Sequence, residues 1–160
     1  MLVLSLVGWS NVSAFAAVTL EVAPADGANS RDLDFETVES MGPQGEEALE
    51  RVVVRRVRVT ISDSSNRYQV FQRVNAPLTN SNGTEFPLKA IRFFLSTAGR
   101  GDLRVPNPVP LEMGERVVYD SDATGSPTEL LFNYTVEVPY GQEAGQYQGG
   151  SISYVVTPSS

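Results

Sequence analysis

Between Glu129 and Val138 the chain reads ELLFNYTVEV, and this stretch constrains its fold more than any other. Leu130, Phe132, Tyr134, Val136 and Val138 occupy every second position. On a helix such spacing would scatter them around the axis. On an extended strand, whose side chains alternate between faces, it gathers all five on one side. One face of this segment must therefore be buried against a second layer.

The same period recurs along the chain. RVVVRRVRVTIS places Val57, Val59 and Ile61 inward and Arg56, Arg58 and Thr60 outward. Val52 and Val54 hold the opposite parity, which predicts a β-bulge at Arg55–Arg56. RYQVFQRV puts Tyr68, Val70 and Val74 in phase, and LKAIRFFLS does so for Ile91, Phe93 and Leu95. A short strand at ERVVYDSD and a final one from about Tyr147 to Val156 complete the set after an N-terminal run, AVTLEVA. Gly and Pro, 13 and 10 in number, fall between these runs as turn punctuation, with Asn82-Gly83 the strongest tight-turn signal. The fold class is thus all-β, an antiparallel sandwich of about seven to eight strands in one domain, residues 17–160. With 160 residues, 41% of them hydrophobic, the chain can bury a sizeable core.

Charge and composition narrow the function. The formal net charge is -7, which is unfavourable for binding a phosphate backbone, so no nucleic-acid partner is expected. The chain has no His and no Cys, which removes the commonest general base, the commonest zinc ligand, every thiol nucleophile and every disulfide. No metal, cofactor or catalytic residue is expected. Asp32, Asp34 and Glu36 share one face of a predicted strand and read as its wet side opposite Leu33 and Phe35. Asp120 and Asp122 in YDSDATG lack the further carboxylates of a calcium loop and read as a turn. Arg100-Gly101-Asp102 reads as ordinary loop chemistry, and the four arginines of the Val57 strand as a solvated face. Asn82-Gly83-Thr84 and Asn133-Tyr134-Thr135 are sequons, the second in mid-strand.

At the N-terminus, MLVLSLVGW is a short apolar run followed by Ala14-Phe15-Ala16, a small-residue cleavage pattern, although no Lys or Arg precedes the run. Residues 1–16 are expected to be a signal peptide cut before Ala17. The run is too short to span a bilayer, so no membrane span is expected, and the protein should be secreted, periplasmic or on a bacterial cell surface.

The C-terminal segment raises the functional question. Glu143, Gly145 and Tyr147 have the spacing of a tyrosine corner, which in immunoglobulin-like sandwiches stands at the strand before the last. Only Gln148 to Ser160 remain after it, enough for one strand and not for a partner to close the sheet. The sandwich would then lack its last strand and carry a groove walled by Ile152, Tyr154 and Val156. The alternating Val18, Leu20 and Val22, in residues 17–24, are the expected donor or edge strand, acting within the chain or between copies.

The tail resembles the end of the spore coat protein U family and the related archaic chaperone–usher pilins, through Pro139, Gly141, Gln142, Gly145, Tyr147, Ile152, Tyr154 and Val156. DLDF, VTISDSSNRYQV and LKAIRFFLSTAGRGDLRV are similar to that family's earlier segments, whereas the absence of Cys and the trailing TPSS depart from it. The resemblance implies a non-catalytic surface subunit of a pilus or fimbria that assembles by strand complementation. Its implied partners are further copies, a related surface subunit or a periplasmic chaperone. The competing expectation is a monomeric carbohydrate- or cell-wall-binding module, with Phe71, Phe94 and Tyr140 as its candidate exposed aromatics.

Overall fold

The computed structural model describes residues 2–4, 19–24, 53–62, 66–139 and 141–159. Val18, the paired carboxylates Asp32, Asp34 and Glu36, the cleavage pattern at Ala14–Ala16, and Tyr140 lie outside the described residues.

The described residues form two five-stranded sheets. The first runs in the order β1 (Leu2–Leu4), β10 (Gly150–Pro158), β4 (Tyr68–Ala76), β8 (Gly114–Asp120) and β6 (Asp102–Leu103). The second runs β2 (Thr19–Pro24), β3 (Val53–Ser62), β9 (Thr128–Val136), β5 (Ile91–Thr97) and β7 (Val109–Pro110). All pairings are antiparallel except that of β1 with β10. Seven of the strands have six residues or more, matching the expected number, and β1, β6 and β7 are short additions at the edges. From β3 onward each successive strand lies in the opposite sheet to the one before it.

Period-two patterning explains why the sheets face each other. Val57, Val59 and Ile61 of β3, Ile91, Phe93 and Leu95 of β5, and Leu130, Phe132, Tyr134 and Val136 of β9 are all buried. They meet Tyr68, Val70 and Val74 of β4, Val118 and Tyr119 of β8, and Ile152 and Tyr154 of β10 in one core. Arg56 and Arg58 stay exposed, and Arg58 pairs with Glu129 at 3.2 Å across the outer face. Arg56 and Arg58 give β3 a solvated face there, because they alternate with the core residues Val57 and Val59.

Several local expectations are corrected. The predicted bulge at Arg55–Arg56 is absent: β3 pairs with β9 in unbroken register from Val53↔Val136 to Ile61↔Thr128. Irregularities occur instead in the first sheet, between Val70 and Phe71 and between Ser151 and Ile152. β9 ends at Val136, and Val138 is half-buried beyond it. Leu88–Ala90 is a 3₁₀ turn leading into β5, following Pro87, which sets an extended entry. The last strand starts at Gly150, so Tyr147 stands in the loop before it.

Candidate strand-acceptor edge

A five-stranded sheet has two outer edges, and unpaired backbone there invites another strand. Three of the four edges in this sandwich carry the usual protections. β6 and β7 are two residues long, and β7 includes Pro110, which has no N–H to offer. β2 ends on Pro24. The fourth edge is different. β10 has nine residues, and its outer side is paired only where β1 meets it, at Leu2↔Gly150, Val3↔Ser151 and Leu4↔Ile152. Along Ser153 to Pro158 no described strand lies on that side.

The inner side of β10 is anchored strongly. It pairs with β4 from Ser151↔Ala76 to Pro158↔Tyr68. Ile152 and Tyr154 are buried and Val156 is partly buried against the core. The Tyr154 ring lies 4.6 Å from that of Phe132 on the opposite sheet, centroid to centroid. A polar chain runs through the same layer. The Gln72 side-chain amide donates to the Tyr134 hydroxyl at 2.6 Å, and the Tyr134 and Tyr154 hydroxyls share a hydrogen bond of 2.6 Å. Burial pushes both phenols well above their ordinary range, so they stay neutral and able to donate. The chain ties β10 to β4 beside it and to β9 across the core. Gln72 shares the parity of Val70 and Val74, and that parity alone marks it as an inward polar residue.

The segment entering β10 is clamped as well. The Tyr147 hydroxyl donates to the Glu143 carbonyl at 2.7 Å, closing a local turn, and the Gln142 amide donates to that hydroxyl at 2.5 Å. The Tyr147 ring packs edge-on against Phe86 with centroids 5.3 Å apart. Gly145 between them has φ of +150°, a conformation that favours glycine. Glu143 turns its carboxylate to the preceding tight turn. It accepts from the Thr84 hydroxyl at 2.6 Å and the Asn82 amide at 2.5 Å. Those bonds, Thr84 first and then Asn82, hold its carboxyl below the usual glutamate range. Thr79 and Gln148 exchange backbone hydrogen bonds of 2.8 and 2.7 Å, completing the join. Glu143, Gly145 and Tyr147 therefore come together in one structure that sets where β10 begins.

The other expected donor residues lie elsewhere. Leu20 and Val22 of β2 face the core opposite Ile61 and Val59 of β3, at the edge of the second sheet. Within the chain this strand is an edge strand of the second sheet, paired with β3 over six register positions and not with β10. The strand that does lie against β10 comes from the apolar run read as a leader, and it runs parallel.

Remaining motifs resolve into structural parts. Asp122 accepts from the Ser126 N–H at 2.9 Å, the Ser126 hydroxyl at 2.7 Å and the Thr124 hydroxyl at 2.9 Å. These bonds, Ser126 first, hold its carboxyl down to about 2 and make the loop a closed turn. Asp120 is buried and bonds Gln69 at 2.6 Å and the Arg104 guanidinium. Burial alone would raise its carboxyl, but Gln69 and Arg104 outweigh that and lower it. In Arg100-Gly101-Asp102 the glycine N–H bonds the Tyr119 hydroxyl at 3.1 Å, and a Cβ there would collide with Tyr119 and the Asp120 carbonyl. The glycine is thus required by packing, and Asp102 belongs to β6. Asn133 is buried on the outward parity of β9. Phe71 and Phe94 are half-buried. Among the described residues there is no cluster of three or more metal-ligating side chains and no helix long and apolar enough to cross a membrane. No family model matches the chain, and no curated protein matches it either.

Proposed function

We propose that the protein is a non-catalytic, exported structural subunit of a surface fibre, similar to a pilin, which assembles by accepting a β-strand along the outer edge of β10. One observation carries this reading. Among the described residues β10 is the longest strand whose outer side is open along most of its length, paired there for three residues of nine. Main-chain hydrogen bonds along such an edge supply affinity, and alternate side chains of the incoming strand supply specificity. The aromatic and polar anchoring of β10 keeps that edge in place before a strand arrives, which lowers the ordering cost of binding. The resemblance of the tail to spore coat protein U and archaic pilins supports the same reading. Within it, the partners are further copies of the chain, a related surface subunit or a periplasmic chaperone covering the edge.

The test is exchange. Two differently tagged copies of the chain beginning at Ala17, unfolded and refolded together, should give mixed multimers that survive mild detergent. If refolding gives only monomers, with the two tags never found together, assembly by strand addition is wrong.

A further inference from the structure

The strand beside β10 belongs to the segment expected to be removed on export. We infer that β1 masks the end of the acceptor edge at Gly150, Ser151 and Ile152 in the uncut chain, and that cleavage before Ala17 exposes it. This rests on the strand-acceptor reading above.

Three observations lead here. β1 occupies the outer side of β10 at Gly150, Ser151 and Ile152, where the clamped loop delivers the strand. β2 is committed to β3 over its whole length, so no described strand downstream of Ala17 is free to replace β1. The remaining outer edge, Ser153 to Pro158, has no described partner strand, so among the described residues nothing pairs with that side of β10 once β1 is lost. A strand tethered to its own acceptor acts at an effective concentration on the order of millimolar, so it outcompetes a free strand at micromolar concentration. The uncut chain would therefore be a poor acceptor, and processing would license assembly only where the leader is removed. The geometry also sets the polarity of the masking strand, which runs parallel to β10.

The experiment compares three purified proteins: the full chain, 1–160, with cleavage blocked by Ala16→Arg; the same chain carrying Val3→Pro; and the chain beginning at Ala17. Val3→Pro removes a backbone N–H from β1 and leaves the rest of the sequence intact. The probe is a fluorescein-labelled peptide of residues 1–9, read by anisotropy, with near-ultraviolet circular dichroism confirming that each protein is folded. The chain from Ala17 should bind the peptide, the full chain should bind it at least about tenfold more weakly, and Val3→Pro should restore binding. Equal binding by the full and shortened chains overturns the mask and leaves strand acceptance standing. Failure of Val3→Pro to restore binding also overturns the mask. Absence of binding by all three overturns the mask and the strand-acceptor reading together.

Discussion

β1 and β2 both come from the N-terminal part of the chain, and both lie at the edge of a sheet, yet they are held on different terms. β2 forms an antiparallel ladder of six register pairs with β3 and turns Leu20 and Val22 toward the core. β1 forms a parallel ladder of three pairs with β10. Parallel pairing is slightly weaker per residue than antiparallel pairing, and a short ladder adds little to it. The contrast shows how an edge strand can be either part of the fold or a cover over it. Burial of alternate apolar side chains makes β2 integral, while β1 adds to a strand that β4 and the core already secure.

Removing residues 1–24 should be the most damaging change. It strips two inward apolar side chains from β3, worth about 1.5–3 kcal/mol each when fully buried. Removing residues 1–16 should leave the denaturant midpoint close to that of the full chain. Equal losses from the two truncations would erase the distinction between the strands.

Tyr134→Phe should come next. It leaves the Gln72 amide and the Tyr154 hydroxyl without their shared partner inside the core, at a cost of about 1–3 kcal/mol. If β10 is held mainly from its inner side, this variant should also weaken peptide capture at its outer edge. A stability loss with peptide affinity unchanged would show that the edge does not depend on that anchor.

Tyr147→Phe should cost about 0.5–1.5 kcal/mol, the worth of one hydrogen bond to the Glu143 carbonyl. Thermal melts that superimpose on those of the parent would remove the corner from the list of features that position β10.

The smallest effect should lie in the turn closed by Asp122 and Ser126. The Asp122 carboxyl is held down to about 2, so it adds stability above the ordinary aspartate value of about 3.9 and loses it as pH falls from there toward about 2. Asp122→Asn should flatten the acid side of a melting-temperature profile over that window. An unchanged profile would mean that the turn is held by its backbone alone.

Much of the architecture was legible because core burial in a two-layer sandwich acts on alternate residues. Leu130, Phe132, Tyr134 and Val136 declare β9 by parity, and Ile91, Phe93 and Leu95 declare β5. Local spacing also marked Glu143, Gly145 and Tyr147, since a corner is built within a few residues of chain. What parity does not carry is partner choice. Leu20 and Val22 alternate as a donor strand should, and nothing in that alternation says which sheet they join. The apolar run at Leu2 reads as a leader from sequence, and its place beside β10 required the folded geometry. Arg55–Arg56 misled in the other direction: a change of apolar phase was absorbed without an inserted residue, because the register of a strand follows its whole ladder. Gln72 was passed over for its polarity, although its position in phase with Val70 and Val74 pointed inward.

The phenols in the core also make the molecule its own indicator of alkaline unfolding. Of the six tyrosines in the chain, Tyr68, Tyr134 and Tyr154 are pushed upward chiefly by burial. The stability they contribute is complete below the ordinary phenol range and is lost as pH rises above it, where the unfolded chain releases protons that the folded chain retains. Titration with base should therefore yield an abrupt rise in phenolate absorbance when the sheets separate. That rise reads the packing of β9 against β4 and β10 optically, without label or ligand.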